Sequence, residues 1–416
     1  MSAAPPRLDA GWLRDGALAR LLALLDSDGE EARVVGGAVR NTLLAEPLGD
    51  VDIATTATPD EVIARVTAAG FKAVPTGVEH GTVTVVVEGH PHEVTTLRED
   101  VETDGRRAKV AFGRDWRRDA ERRDFTMNAL SVARDGTIYD YVGGLDDLQA
   151  RRVRFIGEPA TRIAEDYLRI LRFFRFHAAY GRGTPDPAGL AACIAARQHL
   201  DRLSRERVKM EMFKLLVAAH AVPVLAVMSE AGLLVSVLGG VPLLASFSNM
   251  TKIEAALALP PDPVRRLGAL AVLIVEDADR LRERFRLANA EHERLHAMAD
   301  GWWRISAANA EQDGHAALYR LGRERFTDRV VLAWARSPAG VADTVWHDFA
   351  RLPERWTAPD FPLRAADFVR RGVAKGPALG AALRAAEEVW IAADFPTEAA
   401  DVAAIADAAA RRALAD

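Results

Sequence analysis

Cysteine is almost absent from this chain, with a single residue, Cys193, among 416. One cysteine excludes an intramolecular disulfide framework and a cysteine-rich zinc module, and it fits a reducing compartment. Residues 1–16 also lack the apolar stretch of a secretory signal peptide. We therefore expect a cytoplasmic protein.

A long apolar run without interruption is lacking as well. One uncharged stretch, Ala231 to Thr251, is long enough to cross a bilayer, but glycines, a proline, serines and an asparagine interrupt it. Such residues divide an apolar run into short buried pieces. The stretch therefore predicts a helix–turn–helix core, and we expect no membrane partner.

Neither sign of charge is in strong excess, because 54 Lys and Arg face 59 Asp and Glu for a net charge of −5. This excludes a uniformly basic nucleic-acid-binding protein but leaves a local basic surface open. Residues 151–222 hold 14 basic and 7 acidic residues, a local net charge of +7. With 49% hydrophobic and 27% charged residues the chain is globular, and its length predicts two to four domains.

The hydrophobic pattern changes along the chain. Before about residue 150, short apolar runs between glycine-rich turns predict strands mixed with helices, including a hairpin of residues 82–88 and 92–97. The polar segment 99–118 predicts a mobile loop. From about residue 160 onward nearly every segment has helical periodicity. The predicted fold class is thus α+β, a mixed β-sheet with helices followed by an all-helical part.

A glycine pair at a predicted strand-to-helix turn is the first pattern that carries chemistry. Gly36 and Gly37 would let backbone N–H groups approach a phosphate, and Arg40 could reach the same anion. The alternative is an ordinary tight turn.

An acid pair follows the glycine pair. Asp50 and Asp52 would share one face of a strand, where two carboxylates repel each other unless a cation lies between them. A hard divalent ion such as Mg²⁺ suits oxygen ligands, and phosphoryl transfer with two metals is the usual chemistry. Glu93, on a neighbouring predicted strand, is the candidate third acid. A solvated strand end is the alternative.

Two further patterns are rich in arginine. RRDFTMNAL (122–130) places two arginines beside small polar groups that could hold a triphosphate and ribose hydroxyls. EDYLRILRFFRF (165–176) would stack an acid and arginines on one helix face, where carboxylate and guanidinium could match a base edge. An ion-paired surface is the alternative for the second pattern.

Together these patterns resemble the class II tRNA nucleotidyltransferase and poly(A) polymerase family. GGAVRNTLLAEPLGDVD (36–52) is similar to its opening motif, except that Asn41 stands where the family usually has Asp. RRDFTMNAL is similar to its second motif, and DYVGGLDDL (140–148) resembles its connecting segment. EDYLRILRFFRF resembles its nucleotide-template helix, and LSRERVKMEMFKLL (203–216) its last helix motif.

The resemblance implies a role for each site residue. Asp50 and Asp52 would bind magnesium, with Glu93 as the third catalytic acid. The nucleotide-binding residues would be Gly36, Gly37, Arg40, Arg123, Asp124, Asn128, Asp166, Arg169, Arg172 and Arg175. Within this set Gly37, Arg40 and Arg123 would hold the triphosphate and Asp124 would sense the ribose hydroxyl. Asp166 and Arg169 would pair with the incoming C or A.

The resemblance also implies an architecture and a reaction. A nucleotidyltransferase head (25–150) would follow an N-terminal helix (1–24) and precede a basic neck with the template helix (151–222). A helical body (223–300) and a tRNA-binding tail (301–416) would complete the chain. The enzyme would add C, C and A to tRNA 3′ ends from CTP and ATP and release pyrophosphate. The loop 99–118 would govern the switch from C to A.

Three alternatives remain open. Bacterial poly(A) polymerases resemble this family but carry a basic-aromatic stretch before the third-acid strand, where this chain has PTGVEHGT (75–82). An enzyme that adds only CC or only A is the second alternative, and the long loop 99–118 argues against the type that adds only CC. The third is a zinc metalloprotease, because His292-Glu293-Arg294-Leu295-His296 is an H-E-x-x-H pattern.

Overall fold

Two units make up the chain, Met1–Val237 and Leu238–Asp416. The structure is a computed structural model that describes residues 5–14, 16–104, 107–306 and 312–415, and of residues 99–104, 107–111 and 312 only the backbone. The predicted divisions near residues 24, 150, 222 and 300 stay predictions.

A seven-stranded mixed sheet forms the centre of the first unit, in the order β3-β4-β5-β2-β1-β8-β9. The neighbours β2 and β5 are parallel, and the other pairs are antiparallel. The strands are β1 (Ala32–Val35), β2 (Asp52–Thr55), β3 (Lys72–Gly77), β4 (Thr82–Val87), β5 (His90–Thr96), β6 (Arg98–Asp104), β7 (Arg107–Phe112), β8 (Ser131–Ala133) and β9 (Ile138–Tyr139). The predicted hairpin is confirmed as β4 and β5, which turn at residues 88–89.

Helices surround this sheet and continue beyond it. Those of the first unit are α1 (Gly11–Arg14), α2 (Gly16–Leu25), α3 (Gly37–Leu43), α4 (Pro59–Ala68), α5 (Trp116–Glu121), α6 (Gly144–Gln149), α7 (Pro159–Glu165), α8 (Leu168–Tyr180), α9 (Pro187–Ala195), α10 (Arg205–Leu216), α11 (Ala221–Glu230) and α12 (Leu233–Leu238). Helices α2 and α4 pack on the sheet, where Val83, Val85 and Val87 alternate inward from β4. The start of α4 follows from a capping box, because Thr58 Oγ accepts from Glu61 N–H and the Glu61 carboxylate accepts from Thr58 N–H.

The segment 99–118 differs from its prediction as a mobile loop. Strands β6 and β7 pair antiparallel as a separate two-stranded hairpin, and α5 begins at Trp116. A charged sequence is compatible with such a hairpin, because the backbone hydrogen bonds that pair its two strands do not need a buried apolar face. Residues 105 and 106, at its tip, lie outside the described residues.

A cluster of aromatic rings joins the sheet to α8. The Phe125 ring lies 4.9 Å from that of Phe155 and 5.2 Å from that of Phe176, and Phe173 stacks on Phe155 at 5.4 Å. All four side chains are buried. Burial of aromatic surface is worth roughly 1.5–3 kcal/mol for each ring, so this cluster fixes α8 against the segment that contains residues 122–128.

The second unit is helical throughout its described part. Its helices are α13 (Leu244–Ala256), α14 (Pro263–Ala271), α15 (Val275–Phe285), α16 (Asn289–Ala299), α17 (Gln312–Arg336), α18 (Thr344–Ala350), α19 (Leu352–Arg355), α20 (Ala365–Val369), α21 (Pro377–Ala392) and α22 (Ala399–Ala415). Helix α17 breaks at Gly322, whose φ is +73°. The predicted α+β class, a mixed-sheet head followed by helices, is confirmed.

A membrane-spanning helix must be both long and apolar. Over the described ranges, no helix is both long and apolar enough to cross a bilayer. The uncharged run 231–251 is divided between α12, an irregular connection and α13, as the glycines and the proline predict.

Candidate active site

A cavity of about 640 Å³ in the first unit collects residues of the glycine pair, the acid pair and the two arginine-rich patterns. Its lining comes from α3, the start of β2, the segment 122–128, α8 and α10. The lining residues are Gly36, Gly37, Arg40, Asn41, Gly49, Asp50, Asp52, Arg122, Arg123, Asp124, Asn128, Asp166, Leu168, Arg169, Arg172, Arg175, Phe176, Arg207 and Lys214. Every predicted site residue except Glu93 is among them.

The glycine turn before α3 leaves room for the Arg123 side chain beside the start of that helix. Gly36 has φ +67° and ψ −121°, a conformation that L-residues rarely adopt. A Cβ atom there would lie 3.4 Å from Arg123 Nη1. Glycine is needed at this position both for the backbone conformation and for the close approach of this guanidinium.

Arg40 is buried under the cavity and largely committed to protein partners. Its Nη1 donates to Asn128 Oδ1 at 2.6 Å, its Nη2 to the Tyr180 hydroxyl at 2.7 Å, and its Nε and Nη2 to Asn41 Oδ1 at 3.1 and 2.9 Å. The guanidinium also stacks over the Tyr180 ring at 3.9 Å. Four of its five N–H donors are thus engaged, which leaves one for a phosphate. Asn41 provides the hydrogen bonds without a negative charge.

The acids lie where β2 and β5 run side by side. Asp52 is the first residue of β2, and Asp50 precedes the strand instead of lying within it. Glu93 neighbours Asp52 across the parallel pair, because Ile53 is in register with Val94. Burial raises the pKa of Asp52, and the Glu93 and Asp50 carboxylates raise it further, against an opposing effect of Arg123.

The repulsion between these carboxylates bears on whether the site suits a cation. Carboxylates that raise the pKa of a neighbour are relieved by a positive ion, so Asp50 and Asp52 fit a divalent metal. In the part of the chain that the structure describes, no three His, Cys, Asp or Glu side chains are arranged to hold an ion by themselves. The acid pair would therefore need oxygens from a bound substrate to complete the coordination.

Asp119 clamps both arginines of the second pattern. Its carboxylate accepts from Arg122 Nε at 2.7 Å and from Arg123 Nη2 at 3.1 Å. Burial alone would raise the pKa of Asp119, but the two guanidinium groups hold it below its usual range. Asp119 thus positions Arg123 on the cavity wall.

Asp124 joins the second pattern to α8. It accepts from Arg172 Nε at 2.7 Å and Nη2 at 2.5 Å, from Asn128 Nδ2 at 3.1 Å, and from the Phe125 N–H at 2.9 Å. Burial would raise the pKa of Asp124, yet Arg172 and Asn128 keep it low and the carboxylate ionised. Both Arg172 nitrogens donate to the same oxygen, Asp124 Oδ2, and this charge-assisted pair fixes the first half of α8 relative to residues 122–128.

The placement of Asp166 corrects one expectation. It does not share a helix face with Arg169, because α7 ends at Glu165 and α8 begins only at Leu168. Asp166 is extended (φ −154°, ψ 105°) and its Oδ1 accepts from Leu168 N–H at 3.1 Å, as a short side chain does at a helix start. Its Oδ2 accepts from Arg207 Nη2 of α10 at 2.6 Å. Both side chains nevertheless line the same cavity.

Helix α10 supplies a counter-charge for α8. Glu211, which is buried, pairs with Arg175 Nε at 2.5 Å and lies 3.7 Å from Arg172 Nη1. The Arg175 guanidinium also stacks on Phe176 at 4.0 Å. Burial lowers the pKa of Arg175, and Glu211 opposes that change.

The H-E-x-x-H pattern does not form a zinc site. It lies on α16 in the second unit, where His292 Nε2 bonds Asp279 Oδ1 at 2.8 Å and Glu293 pairs with Arg325. The partly buried Arg294 of the pattern joins Asp262 and Asp328. These pairings, with no three metal-ligating side chains gathered among the described residues, argue against a protease.

Comparisons with known proteins identify the family of this chain. Residues 32–154 match the Poly A polymerase head domain, and residues 184–247 match a probable RNA- and SrmB-binding site of polymerase A. The zebrafish (Danio rerio) mitochondrial CCA tRNA nucleotidyltransferase 1 is 36% identical over 85% of this chain and 82% of its own length. This chain belongs to the CCA tRNA nucleotidyltransferase family.

Relatives from bacteria extend the comparison within the family. The CCA-adding enzyme of Limosilactobacillus fermentum is 32% identical over 87% of this chain and 89% of its own length. The crystal structure of the Bacillus stearothermophilus CCA-adding enzyme in complex with CTP has a TM-score of 0.77 at 28% identity and covers 96% of this chain and 98% of that one. The mixed-sheet head followed by helices is therefore a fold that this chain shares with CCA-adding enzymes.

Sequence reasoning missed the residues that hold the site together. Tyr180, Asp119, Glu211 and Arg207 each contact a predicted site residue, but none of them was singled out. Glu211 and Arg207 did lie within the segment that resembles the last helix motif. The available signal was Glu211, an acidic residue among the basic and apolar residues of that helix.

Proposed function

We propose that this chain adds C, C and A in turn to tRNA 3′ ends from CTP and ATP, releasing pyrophosphate, in the cavity beneath α3 and α8. The observation that carries the proposal is the convergence on one cavity of the glycine turn, the acid pair and the arginine patterns, in a member of the CCA tRNA nucleotidyltransferase family. We also propose that it acts in the cytoplasm, in keeping with its single buried cysteine.

Asp50 and Asp52 would hold Mg²⁺, with Glu93 the third acid beside Asp52. Mg²⁺ supplies Lewis-acid activation of the attacking 3′-hydroxyl and screens the triphosphate. The repulsion that raises the pKa of Asp52 supports this role, because a cation would remove it. The Glu93 carboxylate adds negative charge beside Asp52, at the start of β2.

The triphosphate would bind against Gly37, Arg40 and Arg123. Arg123 is aimed by Asp119 and by the backbone carbonyl of Asn128, so its charge reaches the cavity in a fixed direction. Arg40 contributes mainly its charge, since most of its donors face protein atoms. The ribose hydroxyls would meet Asp124 and Asn128 at the cavity wall.

The base would be read by Asp166 and Arg169, with Arg172 and Arg175 behind them. A carboxylate offers acceptors and a guanidinium offers donors, and together they can match the edge of C or of A. Arg207 fixes one oxygen of Asp166, and Glu211 fixes Arg175, so the pattern of donors and acceptors is set before the nucleotide binds.

The acceptor end of tRNA would be held through its phosphates. The segment 151–222 has a net charge of +7, and Arg207 and Lys214 on α10 line the cavity itself. Phosphate contacts and helix shape, rather than base sequence, suit a substrate class with many members. We further propose the domain divisions given by the sequence: head 25–150, neck 151–222, body 223–300 and tail 301–416.

Three tRNA transcripts test the proposal directly. One ends before CCA, one after the first C and one after CC, and each is incubated with one labelled nucleotide and Mg²⁺. We expect C on the first two and A only on the third. Repeated addition of A to any of them would instead indicate a poly(A) polymerase, and addition that stops at CC would indicate a partial enzyme.

A further inference from the structure

Arg162 on α7 contacts two of the proposed substrate-binding segments without lining the cavity itself. Its Nη2 donates to the backbone carbonyls of Arg122 and Arg123, the latter at 2.6 Å. Its Nη1 donates to both carboxylate oxygens of Glu165, at 2.8 and 2.6 Å. Only 12% of the Arg162 side chain is exposed, whereas its partner Glu165 is 41% exposed. The contacts with the two carbonyls are therefore better protected from water than those with Glu165.

The same residue also fixes Arg169. Arg169 Nη1 donates to Glu165 Oε2 at 2.5 Å and to the backbone carbonyl of Arg162 at 2.7 Å. Both acceptors therefore belong to Arg162 or to its direct partner. A displacement of Arg162 would therefore move Arg169 in two ways, through the Glu165 side chain and through the Arg162 backbone carbonyl.

The chemistry of the guanidinium explains why this position needs arginine. Its planar fork can donate to two carbonyls with one nitrogen and to a carboxylate with the other, at fixed angles. A lysine ammonium carries its three donors on one nitrogen, so it can reach the carbonyls or the carboxylate but not both. The carbonyls of Arg122 and Arg123 lie on either side of the Arg123 Cα, so holding both of them restrains the backbone from which the Arg123 side chain extends.

We propose that Arg162 is a positioning residue that fixes the triphosphate-binding segment 122–124 and the base-reading Arg169 relative to each other, with Glu165 as the intermediate to Arg169. The inference rests on the roles given to Arg123 and Arg169 in the proposed function. It separates two effects: the carbonyl contacts of Arg162 govern nucleotide affinity, and the Glu165 contacts govern nucleotide choice.

Four variants of the full chain test this: Arg162→Gln, Arg162→Lys, Glu165→Gln and, as a matched control, Arg20→Gln, which removes an exposed ion pair with Glu88 in the same unit. The measurements are the Kd of CTP by calorimetry and the ratio of UTP to CTP incorporation on tRNA lacking CCA. Arg162→Gln should weaken CTP binding about tenfold and raise the UTP ratio about tenfold, since charge-assisted hydrogen bonds are lost on both sides.

The two conservative variants should separate the effects. Arg162→Lys should restore the Kd of CTP to within about threefold of the parent but keep the raised UTP ratio, because one ammonium serves the carbonyls only. Glu165→Gln should raise the UTP ratio more than the Kd, and Arg20→Gln should change neither.

Two results would overturn the inference. Arg162→Gln could lower the melting temperature and kcat while Kd and the UTP ratio stay at parent values, which would make Arg162 structural only. Full recovery of both quantities in Arg162→Lys would refute the need for a fork. A parent protein that adds no nucleotide would refute the proposed function instead, and the calorimetric Kd would still decide whether Arg162 acts on the phosphate side.

Discussion

Replacing Asp52 with Asn should change activity and stability in opposite directions. Asp52 lies at the start of β2, where burial, Glu93 and Asp50 all raise its pKa and Arg123 only partly offsets them. A carboxylate in such surroundings costs folding free energy, so its neutral isostere relieves repulsion. Because Asp52 is solvent-accessible, the gain should match that of a partly exposed charge pair, roughly 0.5–1 kcal/mol in the free energy of unfolding.

The same change should remove transfer almost entirely. Loss of a metal-binding carboxylate from a phosphoryl-transfer site removes several kcal/mol of transition-state stabilisation, so we expect kcat to fall by about a thousandfold or more. Single-turnover C addition and urea denaturation would be measured on the same preparations. Asp60→Asn, an exposed carboxylate on α4 of the same unit, is the control and should leave transfer unchanged.

Two results would refute this reasoning about Asp52. Near-parental turnover with Mg²⁺ would show that the acid pair is not the metal site. A marked loss of stability in Asp52→Asn, alongside lost activity, would show that the carboxylate supports the fold and that the electrostatic strain is not as the structure indicates.

Other perturbations probe the base-reading site, the hairpin and the second unit. Arg169→Ala should relax nucleotide choice more than it weakens tRNA binding, and continued strict exclusion of UTP and GTP would place base reading elsewhere. Replacing 103–114 with a short Gly/Ser linker should leave C addition largely intact and stall the product at CC; terminal A addition at the parent rate would make the hairpin a simple connection. Asp328→Ala should destabilise the second unit by about 3–5 kcal/mol in denaturant titrations, because the buried Arg265 and the partly buried Arg294 would lose the buried carboxylate that they share. A loss below 1 kcal/mol would contradict that.

Local signals in the sequence were sufficient for much of the head. The Thr58–Glu61 capping box, the hairpin turn after β4 and the glycine at φ +67° all depend on interactions within a few residues of the chain. Such contacts have a fixed spacing and can therefore be read from a pattern. The segments that line the cavity were predicted instead from their resemblance to the motifs of one family, since each pattern read alone left a plainer alternative open.

Contacts between distant segments could not be read in this way. Arg40 meets Tyr180 across 140 positions, and Arg162 meets the carbonyl of Arg123 across 39, with no spacing rule to link them. Asp166 was expected on a helix because its neighbours have helical spacing, but its side chain caps Leu168 and interrupts the helix. The hairpin β6–β7 was concealed by its charge, since a two-stranded ribbon needs little apolar surface.

The identity of the product tests the central claim most directly. A tRNA transcript lacking CCA would be incubated with the protein, Mg²⁺ and all four nucleoside triphosphates in equal amounts, and the 3′ ends would be analysed by mass spectrometry. The cavity with its fixed acid and arginines should select C, C and A and then stop, giving one product three nucleotides longer. A ladder of added A residues, a product that ends at CC, or ends of mixed sequence would contradict the account.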